Sequence, residues 1–149
     1  MKIAFGCDHR GYALKGALVA YAREQGHEPL DFGTDSAESC DYVDHGRAAA
    51  EAVARGEADI GVLICGSGIG MSIVGNKIPG IRAGLALDEA AAEMTRAHND
   101  ANVLALSADR TDEAGARAIF DAFVATPFEG GRHARRVGKI VKIEEEYCK

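Results

Sequence analysis

No apolar run in this sequence approaches the roughly 20 residues that a helix needs to cross a bilayer, so no membrane span is expected. No C-x-x-C pair occurs either. Cys7, Cys40, Cys65 and Cys148 stand far apart, at spacings that fit no zinc site. They are expected as free thiols of a reducing compartment. Excess positive charge is also missing: the net charge is −6, which argues against nucleic acid as a partner. The opening Met1-Lys2-Ile3-Ala4-Phe5-Gly6-Cys7-Asp8 turns polar too early for a signal peptide. These absences predict a soluble, cytoplasmic protein. No internal repeat, low-complexity tract or linker breaks the 149 residues, which suit one domain over 1–149 with one core.

What is present alternates. Short apolar runs at 2–6, 28–32, 60–64, 82–87 and 102–106 read as strands. Between them, 11–25, 41–55, 69–77, 88–97 and 111–125 read as helices, and 132–147 as a terminal helix. Strand–helix alternation predicts an α/β fold: a three-layer sandwich with a five-stranded parallel, Rossmann-like sheet and a C-terminal helix. Ligands of such sheets bind beyond the carboxyl ends of the strands. Two polar, glycine-containing loops lie there, Gly6-Cys7-Asp8-His9-Arg10-Gly11 and Cys65-Gly66-Ser67-Gly68-Ile69-Gly70. The fold thus brings Asp8, His9, Cys65 and Ser67 toward one edge.

The alternating Gly66, Gly68 and Gly70 expose backbone N–H groups, and the helix that begins near Ile69 adds its positive end. Such a loop suits a phosphate or a developing oxyanion; it also suits a tight turn that binds nothing. The spacing is not the G-x-G-x-x-G of a dinucleotide site, although Asp88 lies about the expected distance on. A cysteine phosphatase would carry an arginine six positions after its cysteine, where this chain has Met71 or Ala13. Cys65, ending its strand beside the loop, is a candidate proton-transfer base or simply a buried thiol. His98 follows a helix and precedes a strand, at the edge opposite Cys65. It is either structural or meets Cys65 of another subunit. His27, His45 and His133 read as surface residues. Arg132, Arg135, Arg136, Lys139 and Lys142 form an acid-free basic stretch, either an anion site or a solvated helix face.

Four stretches, in order along essentially the whole chain, resemble one family. They are Cys7-Asp8-His9-Arg10-Gly11, then Cys65 to Gly70 with Asn76-Lys77, then His98-Asn99-Asp100-Ala101-Asn102-Val103-Leu104, and Gly130-Gly131-Arg132-His133 with Arg136. They are similar to the type B ribose-5-phosphate isomerases, a family that also contains galactose-6-phosphate isomerase subunits. The resemblance implies interconversion of ribose 5-phosphate and ribulose 5-phosphate through an enediolate, without metal or organic cofactor. A hexose 6-phosphate (allose or galactose) is the alternative substrate, and a catalytically silent phosphate- or nucleotide-binding module the alternative class. Cys65 would move the proton between C1 and C2. Ser67 and the N–H groups of Gly66, Gly68, Ile69 and Gly70 would stabilise the enediolate. His98 would assist ring opening. Asp8 and Tyr42 would contact the sugar, with Asn99 helping. His9, Arg132 and Arg136 would hold the phosphate. The resemblance also implies a homodimer or tetramer with sites shared between subunits.

This sequence departs from the family in places. Ser67 stands where threonine is common, and Val43-Asp44-His45 replaces a proline-containing stretch. Members lacking the cysteine use a glutamate farther along the loop; here Ser72 and Gly75 carry no acid. A further family arginine follows the histidine motif at a fixed distance. Arg110 sits one residue beyond it, which leaves its phosphate role open.

Overall fold

In the computed structural model, which describes residues 1–148, strands and helices alternate along the chain. The elements are β1 (Lys2–Cys7), α1 (Tyr12–Glu24), β2 (Glu28–Asp31), α2 (Tyr42–Ala54), β3 (Ile60–Cys65), α3 (Ile69–Asn76), β4 (Ala83–Leu85), α4 (Glu89–Asn99), β5 (Val103–Ser107), α5 (Glu113–Ala125) and α6 (Arg132–Tyr147). The five strands form one sheet in the order β2-β1-β3-β5-β4, and every pairing is parallel. This is the expected α/β architecture.

The central strands are apolar on both faces because helices cover both. Ile3, Phe5 and Cys7 of β1, with Ile60, Val62 and Ile64 of β3, pack under α1, α4 and α5. The alternate residues Ala4, Leu63 and Cys65 pack under α2 and α3. The period of two thus sends the two strand-ending cysteines to opposite sides of the sheet. Helix α6 packs on α4 through a narrow stripe, with His133 and Val137 buried. Among the described residues, no helix is long and apolar enough to cross a membrane.

Strands β1 and β3 run one residue beyond the apolar runs, and the extra residues are Cys7 and Cys65. Edge strand β4 is shorter than its run. At its start the Arg82 N–H donates to Asn102 Oδ1 (2.9 Å) just ahead of β5, while the Asn76 amide bonds the Ala83 N–H (2.8 Å) and carbonyl (2.9 Å) on the otherwise open edge.

From β1 the chain crosses outward to β2, then back to β3 on the other side of β1. The order therefore reverses between β1 and β3, and a crevice opens beyond their carboxyl ends.

Candidate active site

The loop after β1 folds around Asp8. Its side chain is buried, and Oδ1 accepts the N–H groups of Arg10 (3.0 Å) and Gly11 (3.1 Å). Asp8 lines the crevice, and its Oδ2 is bonded to none of the described residues. His9 Nδ1 lies 3.2 Å from the Cys40 N–H and accepts from it. A neutral ring so bonded carries its proton on Nε2, which becomes a donor.

The loop after β3 is set by its cysteine. Cys65 Sγ accepts the Gly68 N–H at 3.2 Å, which fixes the side chain and gives the sulfur a donor in either protonation state. Ser67 is exposed, and its Oγ accepts the Ile69 N–H at 3.2 Å. Gly68 caps α3 with φ 76°, and a Cβ there would stand 2.6 Å from Leu85 Cδ1. Only glycine meets both demands. Below the loop, buried Ser107 donates its hydroxyl to the Gly66 carbonyl at 2.7 Å and ties the loop to β5. Among the described residues no acceptor takes the N–H of Gly66, Ser67 or Gly70. Uncommitted N–H groups at the start of a helix form an anion-binding cradle. Tyr42, the first residue of α2, lays its ring so close to Gly70 that a Cβ there would stand 2.8 Å from it.

These parts enclose a crevice of about 470 Å³ lined by Asp8, Tyr42, Cys65, Ser67 and the Gly66 and Gly70 backbone. The crevice holds a thiol, a hydroxyl, a carboxylate, a phenol and free N–H groups. That set can abstract a proton next to a carbonyl and stabilise the oxyanion that results. Cys7 cannot share this role. It faces the other side of the sheet, and burial pushes its thiol up to about 11, against a partial offset from Lys15.

A second group of predicted residues gathers at the opposite edge. His98 and Asn99 close α4, beside Arg82, whose guanidinium binds the Asn99 and Asp100 carbonyls ahead of β4. The His98 ring stacks on His133, with centroids 4.2 Å apart and planes 7° apart. His133 is buried, and its Nε2 lies 3.3 Å from Glu129 Oε2. Burial, then the charges of His98 and Arg132, hold His133 below the ordinary histidine range. His98, Glu129 and His133 stand close enough to suggest a metal site. Stacked rings, however, point their in-plane lone pairs side by side rather than at a common ion, so these three do not fit one. Helix α6 opens here with no capping side chain, no acid in its first turn, and Arg132 and Arg136 exposed. Cations at a helix N-terminus oppose its dipole. The arrangement makes electrostatic sense when an anion joins it.

Residues 3–140 match the Ribose/Galactose Isomerase family. The chain belongs to that family. It is 47% identical over 144 residues to ribose-5-phosphate isomerase B of Escherichia coli, covering 97% of each chain. A Clostridium thermocellum ribose-5-phosphate isomerase B structure superposes with a TM-score of 0.97 at 49% identity, covering 99% of each chain. The Mycoplasma genitalium isomerase B, solved with bound ribulose-5-phosphate, superposes at 0.93 with 35% identity over 97% of each chain.

As a member of the ribose/galactose isomerases, the chain divides its predicted site residues in two. Asp8, Tyr42, Cys65, Gly66, Ser67, Ile69 and Gly70 line one crevice, with Gly68 at the helix start and His9 in the adjoining loop. His98, Asn99, Arg132 and Arg136 are not brought to it within one chain. Arg110 lines a different cavity of about 900 Å³, between the starts of α4 and α5. That cavity carries Asp88 and Asp112, which cap those helices, and neither a cysteine nor a histidine.

Of the histidines expected at the surface, His133 is a correction, whereas His27 and His45 are partly exposed and make contacts of their own. His133 is buried against His98, and the His45 ring is bonded through Nδ1 to the Phe32 carbonyl at 2.9 Å. His27 sits edge-on to Phe120. Partners this distant in sequence leave no local pattern. Arg10 and Asp109 were missed altogether as crevice residues; both line it and pair with each other at 2.7 Å.

Proposed function

We propose that the chain interconverts D-ribose 5-phosphate and D-ribulose 5-phosphate, with Cys65 carrying the proton between C2 and C1. The carrying observation is the Cys65 crevice, where a thiol, free loop N–H groups and the buried Asp8 carboxylate surround one space. The names of the relatives support the substrate.

The open-chain aldose lies with its carbonyl oxygen toward the free N–H groups of Gly66, Ser67 and Gly70 and the Ser67 hydroxyl. Cys65, as thiolate, takes the proton from C2. The negative charge moves to the carbonyl oxygen, where the loop donors meet it. The thiol then returns the proton to C1, and a proton passes between the two oxygens, giving the ketose. Asp8 Oδ2 and the Tyr42 hydroxyl hold sugar hydroxyls. His9 Nε2–H faces the phosphate. His98, Asn99, Arg132 and Arg136 come from a second copy of the chain, since its own fold carries them to the far edge. There His98 opens the furanose ring and the two arginines close on the phosphate.

The test is exchange in heavy water. Ribose 5-phosphate incubated with the protein should gain deuterium at C2 while ribulose 5-phosphate accumulates. Parallel assays with allose 6-phosphate and galactose 6-phosphate rank the sugars. Binding without exchange would contradict the isomerase reading and leave a binding module.

A further inference from the structure

Within one chain the Cys65 crevice is lined by two carboxylates, Asp8 and Asp109, and by one cation, Arg10. A sugar phosphate is a dianion, so the cation requires an account. Arg10 is placed with care. Its own N–H is held by Asp8 Oδ1, so the residue lining the sugar pocket also fixes the backbone that carries the guanidinium. Arg10 Nη2 donates to Asp109 Oδ2 at 2.7 Å, and the Asp109 N–H donates to the Gly66 carbonyl at 3.0 Å. The pair thus spans from the loop after β1 to the loop after β5, across the end of β3. Beneath it lies Gly66. A Cβ there would stand 3.0 Å from Arg10 Cζ and Nε, so the guanidinium lies directly against the bare glycine.

Both side chains are about half exposed, 57% and 44%. Exposed ion pairs add little to stability, so a structural staple is a poor explanation. A guanidinium has five N–H donors in a fixed fork, and Asp109 occupies only part of it. His9, the chain neighbour of Arg10, already leaves Nε2–H as a donor on the same loop. Arg110, the arginine to which the sequence pointed, lines another cavity.

We propose that Arg10 is a phosphate ligand that this chain supplies, beside His9, to its own Cys65 crevice, and that Asp109 is the residue that positions it. The assignment rests on the sugar-phosphate reading above.

The test measures inorganic phosphate binding by calorimetry alongside ribose 5-phosphate kinetics, in correctly folded variants. Arg10→Met keeps the stem and removes the charge. It should weaken phosphate on the order of 10- to 100-fold, with KM rising by a similar factor and kcat moving far less. Arg10→Lys should recover part of the loss. Asp109→Asn separates positioning from simple charge. Coulomb's law alone predicts tighter phosphate once a nearby negative charge is removed. Positioning predicts weaker phosphate when Arg10 is present and tighter phosphate in the Arg10→Met background. Unchanged phosphate affinity in Arg10→Met overturns the assignment of Arg10. Tightening by Asp109→Asn in both backgrounds overturns the role of Asp109. Phosphate binding that depends on Arg10 in a protein that fails to isomerise would support this inference and overturn the isomerase reading alone.

Discussion

The Cys65 sulfur accepts a hydrogen bond from the Gly68 backbone N–H, 3.2 Å away. One contact thereby joins the proposed base to the start of the helix that would stabilise the oxyanion. Cys65→Ala should leave the fold intact and lower kcat by about 10²–10⁴-fold, the usual loss when a general base is removed. Substrate affinity should change little. Steady-state kinetics with a binding titration decides this, and near-normal turnover in the alanine variant would remove Cys65 from the mechanism.

Gly68 is a separate test of the loop. Its φ of 76° and the closeness of Leu85 and of the Leu106 carbonyl exclude a side chain. Gly68→Ala should destabilise the protein by about 1–3 kcal/mol and reduce turnover as well, because the N–H that holds Cys65 must move. Urea unfolding measures the first and kinetics the second. A fully stable, fully active variant would show that the loop geometry is dispensable.

Arg132 and Arg136 stand one helical turn apart at the uncapped start of α6. Replacing either by alanine should raise KM for ribose 5-phosphate by about tenfold or more, as expected for a lost charge-assisted bond. Binding of unphosphorylated ribose should be untouched. Equal losses for both sugars would reduce the pair to surface charge.

His133 makes the fold sensitive to acid. Burial, then His98 and Arg132, hold its pKa below the ordinary value, while Glu129 pulls the other way and Arg136 adds the smallest downward push. The folded protein therefore resists a proton that the unfolded chain accepts near pH 6.5. The stability that neutral His133 contributes is complete above that pH. It is lost as pH falls from there through the lowered folded value. Thermal melts between pH 8 and 5 should drop more steeply for the natural protein than for His133→Phe, which keeps a stacking ring without the titration. Parallel profiles would contradict this.

Much of this was legible because it is local. The strand ends, the loop Cys65 to Gly70 and the helical spacing of Arg132 and Arg136 follow from short-range periodicity and from what glycine permits. The separation of His98 from Cys65 was also legible, since helix and strand alternation alone fixes which edge each occupies. The Arg10–Asp109 pair was not, because its members lie 99 positions apart in sequence and meet only through strand order. The His98–His133 stack depends on how α6 docks on α4, which apolar periodicity does not specify. The two sides taken by Cys7 and Cys65 follow from pleat and register, and register is a property of the assembled sheet.

The central claim is that Cys65 and His98 act in one site although one chain holds them at opposite edges. The direct measurement mixes inactive Cys65→Ala and inactive His98→Ala proteins under conditions of subunit exchange, with exchange verified by labelling. In a symmetric pair each site draws on both copies. A mixed pair then holds one intact site and one carrying both defects. With random exchange of equal amounts about half the pairs are mixed, so activity should recover to about a quarter of the natural level. Confirmed exchange with no recovered activity would contradict the shared site and confine His98 to a role within its own chain.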